Sequence, residues 1–194
     1  MKVVLSLLLM VVGLAVAQHF GTAKFSFQSP SFQQSGQNTF SGLQSGSNNK
    51  KDRNVHAISN GRQYHFSWQA NPSRVFNGRA AFTYCSGLGP GWSAVGVSSR
   101  SEWNFLKGIL ESERDLRYFW MGGSNNRGRW TWATGERFGP FEAWSPRGGE
   151  GRGQPDNRDP PENCLGALKN VYNDGTTWHD INCRHEKHVV CEKA

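Results

Sequence analysis

Apolar and polar positions first alternate at residues 62–69, RQYHFSWQ, where Tyr64, Phe66 and Trp68 share one side of a two-residue period, the pattern of a half-buried strand. After the turn-forming NPS at 71–73, the placing of Ala81, Phe82 and Cys85 predicts a short helix over 77–85. A second helix, over 101–110, is better signalled. Ser99 and Glu102 stand at capping-box spacing, and Trp103, Leu106, Ile109 and Leu110 form one apolar stripe. Strands are predicted at 117–123, 128–134, 164–170, 176–183 and 187–192. Helices early and strands late argue for an α+β domain with antiparallel pairing rather than a doubly wound parallel sheet. The connection 135–163, rich in Gly, Pro and charge, exceeds the ~12–15 residues beyond which a loop in a compact domain is usually functional or disordered.

The amino-terminal part departs from this patterning. Lys2, an apolar run and then AVA before Gln18 have the order of a secretory signal peptide, so 1–17 is expected to be removed and the protein secreted to the extracellular space. No later apolar run suggests a membrane span. Residues 18–58 are Ser, Gln, Gly and Asn with scattered Phe, a composition that cannot bury a core. They read as a disordered tail, a linker in preference to an adhesive segment built on Phe20, Phe25, Phe27, Phe32 and Phe40. The folded domain is expected over 59–194.

The formal charge of +7 brings nucleic acid into consideration. The Lys and Arg residues are spread along the chain rather than gathered in a stripe, so an extracellular polyanion or matrix role fits better and no nucleic-acid partner is expected. Four cysteines in an exported chain imply two disulfides, and spacing alone leaves three pairings open. Joining Cys85 to Cys191 would tie together the ends of the domain. No enzyme is expected: HEKH at 185–188 places its histidines at i, i+3 and misses the i, i+4 spacing of a zinc-protease helix. Zinc held by His179, His185, His188 and the cysteines is a weaker alternative, since those sulfurs belong in disulfides.

The chemistry concentrates in GQPDNRDPPENC, 153–164, where carboxylates and amides are interleaved with three prolines. These are hard oxygen donors of the kind calcium takes six to eight of. Gln154 and Asp156 flank Pro155, Glu162 follows, and Asp180 lies on the strand beyond. The bland alternative is a set of solvated loop charges paired with Arg147, Arg152 and Arg158.

With FWMGG at 119–123, Trp144, QPD at 154–156, ENC at 162–164, WHD at 178–180, Cys183 and VVCE at 189–192, the chain from about residue 60 to 193 resembles a C-type lectin domain, most of all those of secreted arthropod lectins that carry QPD and WHD. The resemblance implies a C-type lectin-like fold with a long calcium- and sugar-binding loop, and disulfides Cys85–Cys191 and Cys164–Cys183. It also implies a calcium ion held by Gln154, Asp156, Glu162 and Asp180, with the Asp180 backbone carbonyl adding an oxygen. His179 occupies the family's Asn ligand position. Sugar would be held through Gln154, Asp156, Glu162, His179 and Asp180. QPD goes in this family with galactose-type glycans, although the Trp that commonly follows is absent; Trp144, Tyr172 or Trp178 would substitute, Trp178 being better read as core. No auxiliary calcium site is expected at 123–129. The implied function is calcium-dependent carbohydrate binding, to galactose-type glycans or microbial or matrix polysaccharide, in innate immune recognition or in extracellular matrix and cuticle. The alternative is a lectin-like domain without sugar binding that acts as a protein-binding or structural matrix component. Homo-oligomerisation stays open.

Overall fold

A computed structural model describes residues 52–194. The signal peptide expected at 1–17 and most of the tail expected at 18–58 lie outside the described residues.

Strands β1 (Ala57–Ser59) and β2 (Arg62–Phe66) form an antiparallel hairpin that turns on Asn60 and Gly61, at φ 49° and 78°. Two consecutive positive φ values are what a two-residue loop needs to match strand twist, and Asn-Gly supplies them at least steric cost. The strand expected over 62–69 stops at Phe66. Ser67–Ala70 make one helical turn, α1, because buried Ser67 turns its hydroxyl to accept the Val189 N–H at 2.9 Å.

Helix α2 (Gly78–Ser86) is capped by Asn77, whose side chain accepts the Ala80 N–H at 2.8 Å, and buries Ala81 and Cys85. Strand β3 (Trp92–Ala94), absent from the sequence reading, follows. Helix α3 (Arg100–Ser112) carries the expected capping box between Ser99 and Glu102 and buries Trp103, Leu106 and Leu110. Strands β4 (Tyr118–Asn126), β5 (Arg129–Trp132), β6 (Cys164–Lys169), β7 (Thr176–Ile181) and β8 (His188–Lys193) complete the order.

The sheet runs β1-β2-β8-β4-β6-β7, with β3 also on β8 and β5 also on β4. All pairs are antiparallel except β4 with β8, where Phe119 faces His188 and Trp120 faces Val189 in parallel. Strand β8 is the junction: it pairs with β2, β3 and β4. The disulfides are Cys85–Cys191, which ties α2 to β8, and Cys164–Cys183, which ties the start of β6 to the residues after β7.

Trp178 on β7 is fully buried, with Trp103, Trp132, Phe141 and Trp144 meeting it edge-on at 5.5–5.9 Å between ring centroids. Such edge-to-face pairs add to area burial. This cluster positions the site, because the long connection 133–163 docks on it. Trp178 N–H donates to the Ala143 carbonyl at 2.8 Å, and its own carbonyl accepts the Ser145 N–H at 3.0 Å. Among the described residues no helix is long and apolar enough to cross a membrane.

Candidate functional site

Asp156 and Glu162 come from the docked loop and Asp180 from β7, and one carboxylate oxygen of each lies within 4.8 Å of the others. Asp180 is almost fully buried. Its two oxygens accept the backbone N–H groups of Asp156, at 3.0 Å, and Asn157, at 2.8 Å, so it fastens the loop to the sheet. Asn157, at φ 49°, in turn accepts the Glu162 N–H on its side-chain oxygen at 2.9 Å. The Gln154–Pro155 and Pro160–Pro161 peptide bonds are cis. Gln154 lies against Gly148, where a Cβ would collide with its side-chain amide. Backbone anchorage comes from Gln154 N–H, which donates to the Ser145 carbonyl at 2.8 Å.

The charges are only partly compensated. Burial pushes the Glu162 carboxyl up, and the nearby Asp180 and Asp156 carboxylates push it further. Burial also raises Asp180, against the two N–H groups that favour its ionised form. Asp156 Oδ2 and Glu162 Oε2 are buried with no hydrogen-bond partner. An acceptor left unpaired in the interior costs about 1–3 kcal/mol, and more when charged. A divalent cation among these oxygens would supply the missing partner, and an all-oxygen set suits a hard one such as calcium. The residues present therefore fit the ion, with Gln154 lining the same cleft.

His179 is held differently from a ligand residue. Its Nε2 lies 2.8 Å from Asp174 Oδ2, which also accepts from Ser145 Oγ at 2.6 Å and Thr177 Oγ1 at 2.9 Å. Burial would raise Asp174, but these hydrogen bonds outweigh it and hold the carboxyl low. Burial lowers His179 against the pull of Asp174. Sequence reasoning missed Asp174, Ser145 and Thr177. Asp174 sits in the turn motif NDG, where an acid is ordinary, and only the fold brings Ser145 from the loop onto it.

The cleft beside the carboxylates has a volume of about 350 Å³ and also takes in Tyr172, His179, Arg158 and Lys187. Of the three aromatic residues considered as sugar platforms, Trp178 is core and Trp144 is half-buried against it, whereas Tyr172 lines the cleft, its ring 5.4 Å from that of His179. The acidic trio is the one metal-ligating group of three among the described residues. His185 instead faces Asp159 at 3.4 Å, His188 faces Ser67 Oγ at 3.4 Å, and all four cysteines are in disulfides.

The family model described as the lectin C-type domain matches residues 74–193. Collectin-43 of Bos taurus is 33% identical over 87 residues, 43% of this chain and 23% of that protein. The CD209 antigen of Symphalangus syndactylus is 32% identical over 116 residues, 58% of this chain and 26% of its own. The chain thus spans about a quarter of the length of these curated relatives. Among solved structures, that of the SPL-1–GlcNAc complex superposes with a TM-score of 0.56 at 23% identity, covering 73% of this chain and 93% of the other, a likeness of fold.

Proposed function

From the premise that this chain belongs to the C-type lectin domain family, we propose that it is a secreted, calcium-dependent carbohydrate-binding protein. In this reading 1–17 is a signal peptide, 18–58 a tail and 59–194 the lectin domain. The observation that carries the reading is the pair of buried oxygens without partners, Asp156 Oδ2 and Glu162 Oε2, converging with Asp180. Gln154, Asp156, Glu162 and Asp180 would hold the ion, which when bound supplies positive charge and coordination positions that sugar hydroxyls can fill. The carboxylates accept hydrogen bonds from those hydroxyls, and the Gln154 amide can both donate and accept. QPD would favour galactose-type sugars, and Tyr172, which lines the cleft, would be the ring that lies against an apolar sugar face. The likeness to a protein solved with GlcNAc supports sugar as the ligand class. Such binding would serve recognition of microbial or matrix glycans, in innate immunity or in extracellular matrix and cuticle.

A second reading, a protein-binding or structural domain, is favoured by one observation: the His179 Nε2 is committed to Asp174. Calorimetric titration with calcium, alone and with galactose, mannose or N-acetylglucosamine, separates the two. Saturable calcium binding strengthened by one sugar, and weakened at least tenfold by Glu162→Gln, is the expected result. No heat from calcium in the folded, disulfide-intact protein overturns it in favour of the second reading.

A further inference from the structure

Lys187 is the single lysine among the buried residues, 8% exposed, and it lines the same cleft as Asp156, Glu162 and Asp180. Its backbone is pinned by a two-way bridge to Phe76, both N–H to O=C distances being 2.9 Å. Its Nζ lies over two aromatic rings, 4.3 Å from the centroid of Tyr118 and 5.0 Å from that of Trp120. Among the described residues no carboxylate pairs with it and no hydrogen bond engages the ammonium.

Its Nζ keeps contact with solvent, but an ammonium on a side chain so largely withdrawn from water is still costly without a counter-ion. Cation–π contacts offset only about 0.5–2 kcal/mol of that. Burial brings the Lys187 amine down to about 8, so it still carries its charge at neutral pH. The ring contacts and the pinned backbone fix the ammonium in place, at a wall of a 350 Å³ cleft of the size that holds small ligands. None of the cleft's carboxylates, Asp156, Asp159, Glu162 or Asp180, pairs with that ammonium. Arg158 at the same cleft adds a second positive charge without an ion pair among the described residues, and the formal charge, +6 once Lys2 is removed with 1–17 (7 − 1), draws polyanions to the whole molecule.

We propose that this cleft takes glycans bearing an anionic substituent, a sulfate ester or a uronate carboxylate, which pairs with the Lys187 ammonium. The inference rests on the calcium-lectin reading, since the same sugar must reach the acidic trio. Calcium would relieve the repulsion that Asp156, Glu162 and Asp180 otherwise exert on an anion.

The test is calorimetry on the whole protein in saturating calcium and about 0.15 M salt, where long-range attraction is screened beyond ~8 Å. The probes are galactose, galactose 6-sulfate and galacturonic acid. At least one charged sugar is expected to bind tenfold or more tightly than galactose, and which one identifies the substituent. Lys187→Met should abolish that advantage, read as the ratio of charged-sugar to galactose affinity within the same variant, and Lys187→Arg should keep part of it. Arg129→Gln, an exposed position with the same loss of charge, should leave the advantage whole.

Equal affinity for all three sugars overturns the proposal, a comparison that needs no variant to fold. So does an advantage that survives Lys187→Met, or one lost equally in Arg129→Gln, which would mark general electrostatics. Absence of calcium-dependent binding to any sugar overturns the lectin reading itself and this inference with it. That outcome is distinct from galactose binding that ignores charge, which removes the inference alone.

Discussion

His179 and Glu192 show what a single buried side chain can be asked to do. His179 occupies a position where the family places an oxygen ligand, and it spends Nε2 on Asp174. Replacing it with Asn should therefore move two readouts in opposite directions. Calcium affinity in calorimetry should rise as an oxygen donor is restored, while stability in chemical denaturation should fall by about 1–2 kcal/mol as the Asp174 hydrogen bond is lost. Glu192 is 2% exposed, accepts the Gly96 N–H at 2.9 Å and lies 3.2 Å from Arg62 Nη1. Arg62 also pairs with Glu102 and Glu136, so three acids share one guanidinium. Burial lifts the Glu192 carboxyl from 4.5 to about 7, against the pull of Gly96 and Arg62. An acid that holds its proton more tightly when folded makes stability fall as pH rises between those two values. Unfolding free energies should accordingly decline from about pH 5 to pH 7, by on the order of 1–3 kcal/mol from this group, and Glu192→Gln should flatten that part of the profile. Little of this was legible in the sequence. Gln154, Asp156 and Glu162 stood out because a run of oxygen donors around prolines is unusual, Asp180 through the WHD motif, and Asp156, Glu162 and Asp180 do converge. Lys187 and Asp174 did not stand out, since a lysine entering a strand or an acid in a turn is ordinary until the fold buries it.

Among the elements, those whose signals are local were the ones that could be read. Helix α3 carries its start in Ser99 and Glu102 and its buried face in the spacing of Trp103, Leu106 and Leu110. Ser99→Ala should cost about 1 kcal/mol in urea or thermal unfolding, because the Glu102 N–H loses its acceptor while the apolar face is unchanged. Strand β3 has three residues and exists because β8 lies beside it, with Trp92 opposite Lys193 across the sheet. Turn α1 interrupts an alternation that reads as unbroken strand, for Trp68 is buried as that pattern requires, but its indole N–H donates to Glu113 at 2.9 Å. Where a partner distant in sequence decides the local conformation, hydrophobic period alone cannot. Loop 133–163 sits between these cases. Its length pointed to function or disorder, but its docking on Trp178 through Ala143 and Ser145 depends on a strand far along the chain.

At the scale of the molecule, the order of motifs together with the cysteines made the architecture readable, whereas spacing alone left three disulfide pairings open. The two bridges span very different lengths, 106 residues for Cys85–Cys191 and 19 for Cys164–Cys183. In the loop-entropy account the longer closure contributes about 4.7 kcal/mol and the shorter about 3. Replacing both Cys85 and Cys191 by Ala should therefore lower the guanidinium midpoint more than replacing both Cys164 and Cys183. Strand β8 carries a consequence of another kind. Within the sheet, the hairpin at 57–66 and the strand at 118–126 are bridged by residues 188–193, where Lys193 pairs with Gln63 across 130 positions. On a ribosome, the early hairpin emerges long before the strand that pairs with it, so its backbone edge lacks that partner for the whole interval. At about 5–20 residues per second that interval lasts several seconds or more, so the sheet closes only when the last strand has been made.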